Sequence, residues 1–167
     1  MSAEVIQIPL TTLLNLAALI LYTLAVKRIT FFSFVLVGLL LIDVLHQGIA
    51  IYLRSFLSDE RSLSFVFHAW YISFAFTDFL FFLCGLYLAK VVGSDIDKAS
   101  QFILFTYLVL GVIQMLRFAE RLFTDTNLMA WLYSEGIPLT NLVVTAFVIS
   151  YVIRVTFVSL RHGVRTV

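Results

Sequence analysis

The residues able to do chemistry are few, and most of them interrupt long apolar runs. Asp43, His46 and Gln47 fall in one run, His68 and Asp78 in the next, Gln114 and Arg117 in a third, and Asn141 at the start of a fourth. On insertion scales a charged residue at the centre of a membrane helix costs about 2.5–3.5 kcal/mol, so such groups turn toward one another or toward water rather than lipid. Helical spacing allows this. Asp43, Gln47, Ala50 and Arg54 share one face, with His46 beside them, and His68, Tyr71, Ala75 and Asp78 share another. Tyr107, Gln114, Arg117 and Arg121 form a third face, and Asn141 and Thr145 lie one turn apart.

Carboxylates beside an imidazole can pass a proton or hold a cation, and amides can orient a polar solute. The eight residues Asp43, His46, Gln47, His68, Asp78, Gln114, Arg117 and Asn141 are therefore the candidate lining of an ion or ligand pocket. The competing expectation is structural: Asp43 and Asp78 pair with Arg117, or accept hydrogen bonds from His46 and Gln114, and lock the helices together. His46 and His68 are also the candidate metal ligands, or the two axial ligands of a haem. There is no Ser/His/Asp set, Gly-rich phosphate loop or HExxH motif, so an enzyme acting alone is not expected. The single cysteine, Cys84, excludes an intrachain disulfide and a zinc–cysteine centre. A net charge of +1 provides no field for nucleic acid.

The elements that must carry these residues follow from composition. Of 167 residues, 62% are hydrophobic and 13% charged, with a mean hydropathy of +1.04. A soluble fold of this size buries only about 70% of the surface its unfolded chain exposes, too little to hide so much apolar area. Lipid is the natural solvent for the remainder. The charged residues divide the chain into five runs, at about residues 5–26, 31–53, 63–89, 99–122 and 137–160. A helix needs about 20 residues to cross the hydrocarbon core. The expectation is an all-α integral membrane protein, a single transmembrane domain over residues 1–167. Helices two to five form a four-helix bundle with a polar core, and helix one, which offers little beyond Asn15, lies at its periphery. Glu4 and the lack of Lys or Arg before Lys27 argue that the first run is retained as a helix.

Local signals sharpen the boundaries. Gly93 reads as a helix stop, and Ser94 with Asp97 as a capping box for the next helix. Residues 127–135 read as an interfacial turn broken from the last helix by Gly136 and Pro138. The stripe Ala69, Ser73, Thr77 suits close helix packing. Five spans put Lys27, Arg28, Lys90, Lys98, Arg154, Arg161 and Arg165 on one side and Arg54, Arg61, Arg117 and Arg121 on the other. The richer side is expected to be cytoplasmic, or to face the matrix in an organelle, with the N-terminus outside. A weak parallel repeat aligns residues 42–46 with 113–117, Ala69-Trp70 with Ala130-Trp131, and Asp78 with Asn141.

Three functions fit. One is a transport or channel component with an outward polar pocket for an ion, proton or small polar solute. A second is a haem- or quinone-binding membrane subunit of a redox complex. A third is a structural or assembly subunit. All three imply lipid and other membrane subunits, or copies of the same chain, as partners.

Overall fold

The computed structural model describes residues 9–58, 60–124 and 126–163, without the side chains of the last two. The first four residues of the expected run 5–26, and the position of Arg165, lie outside the described residues. Five α-helices form: α1 Leu10–Val26, α2 Phe31–Arg54, α3 Leu63–Val92, α4 Lys98–Phe123 and α5 Ile137–Gly163, with no strand among the described residues. The last four are long and apolar enough to cross a membrane, and α1 is a shorter apolar helix of 17 residues. This is the all-α membrane bundle that the hydropathy pattern implies. α3 has 30 residues, about 45 Å of helix against a hydrocarbon core of about 30 Å, so it tilts or protrudes.

The helix ends have local causes. Lys27, in the left-handed region at φ 53°, ends α1 by donating its backbone N–H to the Thr23 carbonyl. Thr30 and Ser33 then make a reciprocal capping box at the start of α2. Gly93, at φ 62°, ends α3 as its sequence suggests, because only glycine adopts that conformation without steric cost. The cap of α4 differs from expectation. It is Asp97 itself, whose carboxylate accepts from the backbone of Ala99 and Ser100 and from the Ser100 hydroxyl, whereas Ser94 bonds only the Asp95 carbonyl. One carboxylate reaching two unpaired N–H groups satisfies the helix start better than a neutral hydroxyl three residues upstream.

The helices close a ring in chain order, with α5 returning to α1 and α2 also touching α4. The place of α1 therefore differs from the periphery expected for it. It packs along both α2 and α5, and the Ser159 hydroxyl of α5 bonds the Ala25 carbonyl near its end at 2.8 Å. Amide and hydroxyl groups are enough to draw a helix inward, and α1 carries Asn15 and Thr12 on its buried face.

Glycines set the closest approaches. A methyl group added at Gly85 of α3 would meet Leu104 of α4 at 2.5 Å, and one added at Gly111 of α4 would meet Phe79 of α3 at 2.8 Å. Each helix thus receives a large side chain from the other at a residue without one, which brings their backbones together. The small-residue stripe on α3 is only partly used for this. Ser73 and Thr77 turn their hydroxyls back on their own helix, and Thr77 meets α2.

Gly136 and Pro138 do not break the last helix. A π turn, Leu132–Gly136, runs directly into Ile137. Pro138 has no N–H to give to the preceding turn, and a widened turn accommodates its ring without a stop.

The bundle has two unlike halves. Toward the α1–α2 and α3–α4 connections the interior is apolar: Phe32, Leu36, Leu39, Ile103, Leu104, Val148 and Val152 are all fully buried. Toward the α2–α3 and α4–α5 connections it becomes polar, and Asp43 and Asp78, each near the middle of its helix, mark the change.

Candidate functional site

Two faces of α2 carry the polar centre. Asp43 and Gln47, one turn apart, face α1: Asp43 accepts from Asn15 Nδ2 at 3.3 Å, and Gln47 Nε2 donates to Thr12 Oγ1 at 3.1 Å. His46 turns the other way, toward α3. Its Nε2 lies 2.7 Å from Thr77 Oγ1 and 3.5 Å from Asp78 Oδ1. The Thr77 hydroxyl donates to the Ser73 carbonyl at 3.0 Å, which leaves its oxygen to accept from His46 Nε2–H. From α4, Gln114 Nε2 donates to Asp78 Oδ2 at 3.3 Å.

Asp78 is 1% exposed and Gln114 3%. Buried polar atoms are normally hydrogen-bonded, because an unpaired one forfeits its hydration without return. Here Asp78 Oδ1, Gln114 Oε1 and Asn15 Oδ1 are buried and find no hydrogen-bond donor among the described residues. The centre therefore has spare acceptors and, among the described residues, no lysine or arginine paired to it.

Arg117 belongs to a different cluster. Its Nη1 pairs with Glu120 Oε2, three residues on, and its Nη2 donates to Asn127 Oδ1 at 2.7 Å. Glu120 also accepts from the Thr126 hydroxyl at 3.1 Å and from the Met129 backbone N–H at 3.1 Å. The expected partnership of Asp43 or Asp78 with Arg117 does not form. A carboxylate one turn away and a loop amide meet the guanidinium at lower cost than a group across the bundle. Arg121, expected on the same face, is exposed, and the buried face of α4 ends instead on Glu120.

His68 does not join the centre. It precedes Thr77 by nine residues, about 13 Å along α3, is exposed, and has Nδ1 2.7 Å from the Ser64 carbonyl. Its ring leans on Phe67 and Phe118. His46 and His68 therefore do not converge on one metal or haem iron, and among the described residues no group of three or more His, Cys, Asp or Glu gathers around a common point. Asn141 is half-buried, with its Oδ1 unpartnered among the described residues. The aligned tryptophans are not equivalent in place: Trp70 donates to Tyr133 Oη at 2.8 Å, whereas Trp131 is 70% exposed.

Of the eight candidates, the structure thus joins His46, Asp78 and Gln114 directly, with Asp43 and Gln47 on the adjoining face of α2. It sets Arg117, His68 and Asn141 apart. Sequence reasoning missed Thr12 and Thr77 as partners. Their signal was position, since Thr77 directly precedes Asp78, but hydroxyls are too common in membrane helices to stand out. Comparison of the chain with protein-family models, with curated proteins and with solved structures finds no match.

Proposed function

We propose that this protein is a transport component that moves a proton or a small cation through the centre held by His46, Asp78 and Gln114. The observation that carries this reading is Asp78: a carboxyl group at mid-helix, 1% exposed, with no lysine or arginine paired to it among the described residues and a histidine nitrogen 3.5 Å away. A structural carboxylate at this depth gains most from a fixed guanidinium or ammonium. An imidazole can instead accept and release the proton that the pair shares. Ionisable groups inside membrane bundles commonly mark ion and proton paths. The apolar half, closed by Leu36, Leu39, Ile103 and Val148, then acts as the barrier, and the polar half as the access route. The end bearing Lys27, Arg28, Lys90 and Lys98 faces the cytoplasm or matrix in this reading, and α1 crosses with the other four helices.

The test is flux in liposomes under an imposed pH or cation gradient. Asp78→Asn keeps the shape and an acceptor oxygen but cannot carry charge or exchange a proton. Flux should fall by about 100-fold or more, the usual scale for losing a proton-transfer group, while the variant inserts and melts like the parent. Unchanged flux in a stable variant defeats transport through Asp78 and leaves a structural role ahead. For orientation, a cysteine at Ser58 should react with an impermeant thiol reagent in intact cells and one at Ser94 should not; the reverse pattern inverts the topology.

A further inference from the structure

A second site lies at the opposite end of the bundle and is independent of the transport reading. Between α1 and α2 runs a groove of about 530 Å³ whose floor and walls include Leu19, Phe34 and Val37. At its mouth stand Lys27 and Arg28, with the Ser33 hydroxyl beside them. α1 ends at Val26 and α2 begins at Phe31, so both cations sit where the helices leave the apolar zone, and the groove descends from them. Leu19 lies eight residues before Lys27, which makes the groove about 12 Å deep. Neither Lys27 nor Arg28 forms an ion pair among the described residues. Arg28 also borders a second cavity that holds Asp95 and Asp97; Asp97 caps α4, and neither acid lies within ion-pairing distance of Arg28. Ile29, between the cations and the start of α2, is 79% exposed, an apolar residue flanking a basic pair, as befits a surface level with lipid headgroups.

We infer that this groove binds one anionic glycerophospholipid, an acyl chain lying along Leu19, Phe34 and Val37 and the phosphate between Lys27 and Arg28. Two features select this occupant. The groove is mostly apolar, which a free phosphate would not use, the one hydroxyl within it, Thr23, being turned onto the Leu19 carbonyl; its mouth is doubly cationic, which a zwitterionic lipid would not need. The Ser33 hydroxyl can donate to a phosphate oxygen, although it also serves the α2 cap with Thr30.

Native mass spectrometry of the full chain in detergent, with added dioleoylphosphatidylglycerol or dioleoylphosphatidylcholine, tests this. One phosphatidylglycerol should be retained in preference to phosphatidylcholine. Each charge removed should weaken retention about fivefold, from about 1 kcal/mol per basic residue near an anionic headgroup. Lys27→Gln/Arg28→Gln should therefore lose the preference. Lys90→Gln/Arg121→Gln removes as much charge away from the groove and should keep it. Val37→Trp fills the groove without changing charge and should also weaken retention. The inference is overturned by equal retention of the two lipids, by equal losses in both charge variants, or by displacement of the lipid by millimolar inorganic phosphate. Melting temperatures matching the parent in all three variants exclude misfolding as the cause.

Discussion

Two polar clusters occupy the same half of this bundle, and they are built on opposite terms. Around Glu120 the contacts are close and complementary: a guanidinium, a hydroxyl and a backbone N–H converge on one carboxylate, and Asn127 takes a second guanidinium nitrogen, although Arg117 Nε is buried without a partner among the described residues. Around Asp78 the contacts are long, at 3.3 and 3.5 Å, the one titratable partner among the described residues is an imidazole, and buried acceptors are left over. The Glu120 carboxylate has donors on both oxygens, whereas the Asp78 carboxylate keeps Oδ1 without a donor among the described residues. The first fastens the α4–α5 connection to the end of α4. The second joins three helices without consuming their acceptors.

The sharpest way to break this contrast is to neutralise each carboxylate in turn. Asp78→Asn should remove flux and leave stability nearly intact. Glu120→Gln should lower stability and leave flux per folded molecule unchanged. Flux lost in both, or in neither, would show that the two clusters are not functionally distinct. The next effect is on stability. Arg117→Ala strips Glu120 of its cation and leaves Asn127 unpaired, and should give the largest fall in melting temperature among these variants. Replacing Arg117 and Glu120 together by leucine should recover part of it, since an absent pair costs less than a broken one. Combined with Asp43→Asn, by contrast, Arg117→Ala should be additive within about 0.5 kcal/mol, because the two residues share no partner. A coupling well beyond that would restore the partnership across the bundle. The smallest effect probes how the centre is held. Gly85→Ala forces Leu104 aside at the α3–α4 interface and should cost about 1–3 kcal/mol as an overpacked core. If α3–α4 spacing positions Gln114 against Asp78, the variant should also lower flux, and lowered stability with unchanged flux would separate packing from the site.

Much of this was legible in the residues themselves. Apolar runs bounded by charge located the helices, and the placing of Asp43, Asp78 and Gln114 on interior helix faces followed from their spacing. The remainder depends on competition that spacing does not reveal. Arg117 has carboxylates in reach by helix geometry, and the winner, Glu120, is decided by proximity along the same helix and by loop atoms from Asn127 and Met129. α1 reads as peripheral because it carries no ionisable group in its interior, yet Asn15 and Thr12 serve Asp43 and Gln47. The glycine interlocks were hidden for a further reason. Gly85 and Gly111 gain meaning only from Leu104 and Phe79 on the facing helix, information that no single run contains.

The π turn at Leu132–Gly136 gives the last helix a second point of attachment. Below it, Val144, Val148 and Val152 point into the apolar half at regular four-residue steps. Within the wide turn Tyr133 faces α3, its hydroxyl accepting from Trp70 and its ring 5.3 Å from Tyr71. The last helix thereby keeps its valine stripe in the apolar half while the turn at its start reaches α3, and a single-residue deletion within the turn should loosen one of the two contacts.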